Sequence, residues 1–146
     1  MNDMKYKHTK RPGFLLGAID FCTAGNFFLF YMSFHVQKEI DEILGKKTLS
    51  YVKAYLLGIP TLFVYTLVWM ARICEDVKNK AIELNITPHT SFKHMFLWNV
   101  LGIFILVGPA VATEGFFRTL NEIEKKLNEE SKQNSLPASK ELIVYR

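Results

Sequence analysis

The sequence predicts an all-α membrane protein with three hydrophobic segments, spanning or partly re-entrant, each followed by an amphipathic cytoplasmic helix. Charge distribution is the first reason. The windows 14–36, 54–71 and 95–113 hold 23, 18 and 19 residues and a single formal charge, Asp20, in a chain of 146 residues that is 22% charged. A soluble amphipathic helix shows a charge every three or four positions on its wet face, whereas bare blocks of this length match bilayer segments. The second reason is that each window runs into a stretch of charged residues at helical spacing. The third is a residue order shared between windows. The mean hydropathy of +0.09 averages over these two unlike materials. An apolar content of 49% excludes disorder throughout, and two cysteines exclude a secreted disulfide framework.

Residues 1–13 form a basic N-terminal segment (Lys5, Lys7, Lys10, Arg11), expected at the membrane surface. A membrane domain follows over 14–130, in units of about 14–45, 51–84 and 92–130. The first window is not read as a secretory signal, because Asp20 interrupts it and no small-x-small site follows. Its tail places Val36, Ile40, Ile43 and Leu44 on one face, closed by Gly45 as a C-cap. Thr48 or Ser50 can cap the helix entering the second window, and Thr90 or Ser91 the helix entering the third, with Pro88 in the loop. The second tail carries Ile73, Val77, Ala81 and Leu84 on a stripe, and the third Phe116, Leu120, Ile123 and Leu127. These stripes are expected to pack against one another. Residues 131–146 read as a flexible tail ending in a short apolar tag, Leu142 to Tyr145.

Eighteen residues at a rise of 1.5 Å give about 27 Å, just enough to cross a bilayer. Windows two and three are therefore expected as helical spans, and the first as broken around Thr23-Ala24-Gly25-Asn26. Lys and Arg number four before the first window, four and four in the two loops, and six after the third. So even a spread gives no orientation by the positive-inside rule. Re-entrant hairpins returning to one cytoplasmic side are the alternative, with Gly58, Pro60 and Gly108-Pro109 as the breaks.

Windows one and two share an internal order. Thr23-Ala24-Gly25-Asn26-Phe27 then Tyr31-Met32 matches Thr61-Leu62-Phe63-Val64-Tyr65 then Trp69-Met70. Further on, Ile40-Asp41-Glu42-Ile43 matches Leu120-Asn121-Glu122-Ile123, a period of about 40 residues. This repeated Thr-x-Gly-x-aromatic and aromatic-Trp pattern resembles a family of small bacterial multi-pass membrane proteins catalogued as a domain of unknown function. Gly108-Pro109 and Leu120-Asn121 resemble its third segment, and the likeness covers about residues 11–130. Phe63 stands where the pattern has Gly, and Asn26 and Tyr31 where it has an aliphatic residue and Trp. The resemblance implies a multi-pass membrane protein and no activity.

Asp20 is the sharpest single residue. An acid within an apolar window costs about 2.5–3.5 kcal/mol on insertion scales, so it faces a partner or an aqueous path, or sits near the headgroups paired with Lys10 or Arg11. Thr23 and Asn26 lie at i+3 and i+6 from it. The candidate intramembrane polar site is therefore Asp20, Thr23 and Asn26, with Asn99 hydrogen-bonding across helices. Tyr31, Trp69 and Trp98, with Tyr51 and Tyr55, are candidate interface anchors. His35 with Glu39, and Glu114 with Arg118, suit i,i+4 pairing. His89 and His94 match no zinc spacing, and Cys22 and Cys74 read as apolar filler.

No phosphate loop, nucleophile elbow or zinc-binding helix motif is present, so neither catalysis nor a cofactor or metal is expected. The basic residues are interspersed with acids, which favours anionic lipid headgroups over nucleic acid. The expected function is a scaffold or accessory subunit in the cell membrane. Its expected partners are membrane lipids and either a second copy or another membrane protein. A transport or channel component using the Asp20 face, or an immunity-type protein shielding a membrane target, are the alternatives.

Overall fold

Apolar windows interrupted by turn-forming residues fold back on themselves, and the computed structural model resolves the chain into three helical hairpins. It describes residues 6, 10–23, 26–102 and 107–135. The first hairpin joins α1 (Gly13–Cys22) to α2 (Asn26–Tyr31), which continues through a π turn at Met32–Val36 into α3 (Gln37–Leu44). The second joins α4 (Tyr51–Gly58), by a single 3₁₀ turn at Ile59–Thr61, to α5 (Val64–Glu83). The third joins α6 (Phe92–Val100) to α7 (Gly108–Ser135). There is no strand among the described residues.

The first window breaks where expected. Windows two and three do not form the continuous spans that their length suggested. Pro60 has no N–H to extend a helix, and Leu62 and Phe63 turn the chain through the left-handed region at φ 47° and 64°. Phe63 is the position where the resembled pattern carries Gly, the residue that adopts this conformation without strain. In the third window α6 stops at Val100 and the next helix begins at Gly108, where a Cβ would lie 2.3 Å from the Gly102 Cα. Among the described residues no helix is long and apolar enough to cross a membrane.

The helix ends that flank the three breaks lie together, with Asp20, Leu62, Asn99 and Pro109 around one cavity. Within hairpin two, Tyr51 meets Trp69, Tyr55 meets Phe63, and the Thr66 hydroxyl donates to the Ala54 carbonyl at 2.9 Å. These pairs define an antiparallel hairpin. In hairpin three, Gly108 approaches Gly102 while Gly115 lies beside His94. Helix α1 runs antiparallel along α7: a Cβ on Gly13 would lie 2.8 Å from the Glu114 Cα, and one on Gly17 2.8 Å from the Ala110 Cα. This small-xxx-small spacing lets the two backbones touch. The end of α1 thus lies beside the start of α7.

The charged tails close the other end. Val36, Ile40 and Ile43 of the first, Ile73, Val77 and Ala81 of the second, and Phe116, Leu120 and Ile123 of the third are all buried in one core. The stripes therefore pack against one another, as their spacing predicted. Gly45 ends α3 at φ 63°, and Ser91 caps α6 by accepting the His94 N–H at 3.1 Å. Thr48 instead donates to Asp41 at 2.6 Å, and the Ser50 side chain makes no capping bond.

Helix α7 is the spine. Tyr6, in the segment expected on a membrane surface, is bonded to it: Asn128 accepts the Tyr6 N–H at 3.0 Å and donates to the Tyr6 carbonyl at 2.9 Å. Asn121 donates to the Arg11 carbonyl at 3.1 Å, and the α5–α6 loop bonds to Thr119 through the His89 N–H at 2.9 Å. The expected tail boundary at 131 falls inside α7. The apolar tag, 142–145, lies outside the described residues.

Two threonines close two of the turns in the same way. The Thr23 hydroxyl donates toward the Ile19 and Asp20 carbonyls (3.0 and 3.1 Å) and accepts the Phe27 N–H at 3.1 Å. The Thr61 hydroxyl donates toward the Leu57 and Gly58 carbonyls (3.2 and 3.1 Å) and accepts the Tyr65 N–H at 3.2 Å. One side chain serves groups at the end of one helix and the start of the next. Thr61→Val keeps the shape and removes these bonds. Denaturant unfolding in micelles is expected to show a loss of about 1–3 kcal/mol, largely recovered in Thr61→Ser. Wild-type stability in the valine variant would mean that solvent or lipid satisfies these groups instead.

Candidate functional site

Where the three hairpins meet near their turns, they leave a cavity of about 310 Å³. Its polar lining comes from Asp20 on α1, Tyr51 on α4, Thr66 on α5, Asn99 on α6 and Thr113 on α7. Leu62, Phe63 and Val64 of the second turn, with Met70 and Met95, supply apolar wall. The close approach of α1 to α7, where a Cβ on Gly17 would meet Ala110 and Thr113, brings Asp20 on α1 to the same cavity as Pro109 and Thr113 on α7.

The hydrogen-bond inventory of this lining is one-sided. Thr66 spends its hydroxyl proton on the Ala54 carbonyl, and Thr113 spends its own on the Pro109 carbonyl at 2.7 Å. The Asn99 amide nitrogen donates to the Met95 carbonyl at 2.9 Å and contacts the Met95 sulfur at 2.8 Å. What these three residues can still offer is oxygen lone pairs. Asp20 adds a carboxylate, the one charge among the described lining residues, and it acts electrostatically on Tyr51. The described lining is therefore rich in acceptors, with the Asp20 carboxylate as its charge and the Tyr51 hydroxyl as a remaining donor.

Of the predicted polar residues, Asp20 and Asn99 come together here. Asn99 bonds within its own helix rather than across helices. Thr23 closes the first turn, and Asn26 begins a new helix after α1 has ended at Cys22, so Asp20, Thr23 and Asn26 do not share one helix face. The Asn26 side chain lies outside the described set. Among the proposed anchors, Trp69 is only 8% exposed and packs edge-on against Tyr51 at 5.5 Å. Tyr31 packs between His35 and Phe27 and meets Phe117 edge-on, while Trp98 is half-buried against His94. Trp69 and Tyr31 are thus packed against their neighbours inside the bundle.

Sequence reasoning took Tyr51 for an interface anchor rather than a cavity residue, and missed Thr66 and Thr113, which read as ordinary helix positions. It also missed a buried ionic cluster at the charged end. Arg11 pairs with Glu124 at 2.9 Å and with Glu39, tying the N-terminal segment to α7 and α3. The Arg11 and Glu124 side chains are almost wholly buried. Arg11 is therefore neither a surface cation nor the partner that Asp20 was expected to use. His35 stacks on Tyr31 while Glu39 takes Arg11; Glu114 accepts the Phe14 N–H at 2.6 Å, and Arg118 pairs with Glu122 at 3.6 Å. A signal existed for Glu124: it lies four residues after Leu120, on the apolar stripe of α7.

No protein-family model matches the chain, and no curated protein or solved structure matches it significantly.

Burial pushes the Glu124 carboxyl up to about 7; Arg11 opposes the shift and Glu39 adds to it. A carboxyl raised in the folded state holds its proton more tightly there than in the unfolded chain. Its effect on stability is absent below the ordinary value of 4.5 and becomes increasingly unfavourable as pH rises toward 7. Thermal unfolding is thus expected at higher temperature near pH 5 than near pH 8, by an amount on the order of 3 kcal/mol or less. Glu124→Gln should flatten that profile. An unchanged profile in the glutamine variant would remove Glu124 as its source.

Proposed function

We propose that this chain is a non-enzymatic membrane scaffold or accessory subunit whose three hairpins dip into one leaflet and return to the same side. One observation carries this reading: the exposed apolar surface is concentrated on the arms and turns of the hairpins. Phe14, Phe34, Leu56, Ile59, Leu62 and Leu101 are all exposed there, Leu62 at the second turn by 87%. A soluble monomer rarely exposes apolar surface in one such contiguous region.

Length and charge support the same placement. From the turns to the charged ends of the arms is roughly 9–15 Å at 1.5 Å per residue, close to half of the ~30 Å hydrocarbon core. Where the arms leave this zone, they carry an exposed cation: Lys10, Lys38, Lys53, Arg72, Lys93 and Arg118. Long basic side chains at that level reach anionic headgroups while their stems lie along apolar surface. The even spread of Lys and Arg also acquires a meaning. If every hairpin returns, the cations of both loops fall on one side, which the positive-inside rule makes cytoplasmic. The charged outer faces of α3, α5 and α7 would then form a platform for a partner.

Cysteine labelling tests the topology. In a Cys22→Ala, Cys74→Ala background, Lys46→Cys and His89→Cys are expected to react with an impermeant maleimide from the same side of sealed vesicles. Native Cys22, exposed at the end of α1, should react only after detergent is added. Labelling of the two loops from opposite sides would establish a span and overturn the proposal.

A further inference from the structure

The cavity between the hairpins has a chemistry that selects its ligand. Its lining offers a carboxylate at Asp20, the amide oxygen of Asn99, and the lone pairs of Thr66 and Thr113 whose protons are already committed to backbone carbonyls. Among the described residues no Lys, Arg or His lines it. A carboxylate or phosphate ligand would meet negative charge and few donors, and a neutral apolar ligand would leave these oxygens unsatisfied.

We propose that this cavity binds a primary ammonium group. An ammonium carries three N–H donors and no acceptor, the complement of the oxygens of Asp20, Asn99, Thr66 and Thr113, and the Asp20 carboxylate supplies the countercharge that a cation needs when it leaves water. About 310 Å³ is the lower range of small-molecule sites and larger than one ammonium requires. The remaining space is walled by Leu62, Phe63, Val64, Met70 and Met95, so the group enters with a short alkyl portion attached. A trimethylated ammonium has the charge without the donors and is a poor match.

Such an amine has two sources: a lipid with a primary-amine headgroup, or a soluble alkylamine. Only the lipid source rests on the leaflet reading. The test uses the full chain with ¹³C-methyl methionine in phosphocholine-detergent micelles, whose own headgroups are trimethylated. Met70 and Met95 report on the cavity, and Met32, fully buried in the core, serves as the internal control. Phosphatidylethanolamine is added in one arm and n-butylamine in another, with butanoate as the anionic counterpart.

A saturable shift of the Met70 and Met95 methyl signals, with Met32 unmoved, is expected from at least one amine. A response to the lipid alone assigns the lipid source, and a response to butylamine alone assigns the soluble one. Asp20→Asn should weaken the apparent affinity about tenfold or more, since a hydrogen bond to a charged group is lost. Asn99→Leu, which keeps the side-chain bulk, should weaken it less and gives a second reading if the first variant folds poorly. Silence of both methionines toward both amines, or an equal response to butanoate, would overturn the proposal. Failure here with same-side loop labelling intact would leave the leaflet topology standing.

Discussion

A helix that reverses inside an apolar zone must satisfy its own end groups, because neither water nor a following turn is there to do it. On the leaflet placement proposed above, the two threonine clamps meet that requirement, and much of the rest follows from it. Each clamp uses one hydroxyl to occupy carbonyls at the end of one arm and an N–H at the start of the next. The turn can then be short and its other side chains wholly apolar. Ile59, Leu62 and Phe63 are free to face outward because the polar work of the second turn is carried by Thr61. A sequence of this kind can bury a turn where an ordinary loop would have to stay wet.

The opposite end obeys a different rule. There the chain is charged, and α7 gathers the other segments through specific polar contacts as well as apolar ones. Arg11 with Glu39 and Glu124 joins hairpin one to hairpin three, Asn128 holds the backbone of Tyr6, and Thr119 holds the loop at His89. Removing one partner from a buried ion pair is costly, since the other charge is left without compensation. These contacts therefore act as a register: they fix which faces of the hairpins meet, and so bring Asp20 and Asn99 to one cavity from positions about 80 residues apart.

Much of this was legible in the residues. The helical class, the three stripes, the Gly45 and Ser91 caps and the break near Gly25 all follow from local patterns. The shared order around Thr23 and Thr61 was visible too, although only the hydrogen bonds explain why Thr recurs. The breaks in windows two and three were harder to read, because 18 or 19 apolar residues satisfy the length of a span as well as that of a hairpin. Gly58, Pro60 and Gly108-Pro109 carried the signal, but Pro and Gly also occur in true spans. The burial of Trp69 and Arg11 was not legible, since amphipathic side chains suit both a headgroup layer and a tightly packed interior. Nor could local pattern show Thr66 and Thr113 lining a cavity, which depends on the close approach of α1 to α7 at Gly13 and Gly17.

The central claim is that three hairpins enter one leaflet and none reaches the far side. Neutron reflectometry of the protein on a supported, chain-deuterated bilayer measures this directly. The account predicts protein density in the near headgroup layer and to a depth of roughly 9–15 Å in the hydrocarbon, with none in the distal leaflet. Continuous density through both leaflets to the far headgroups would contradict it.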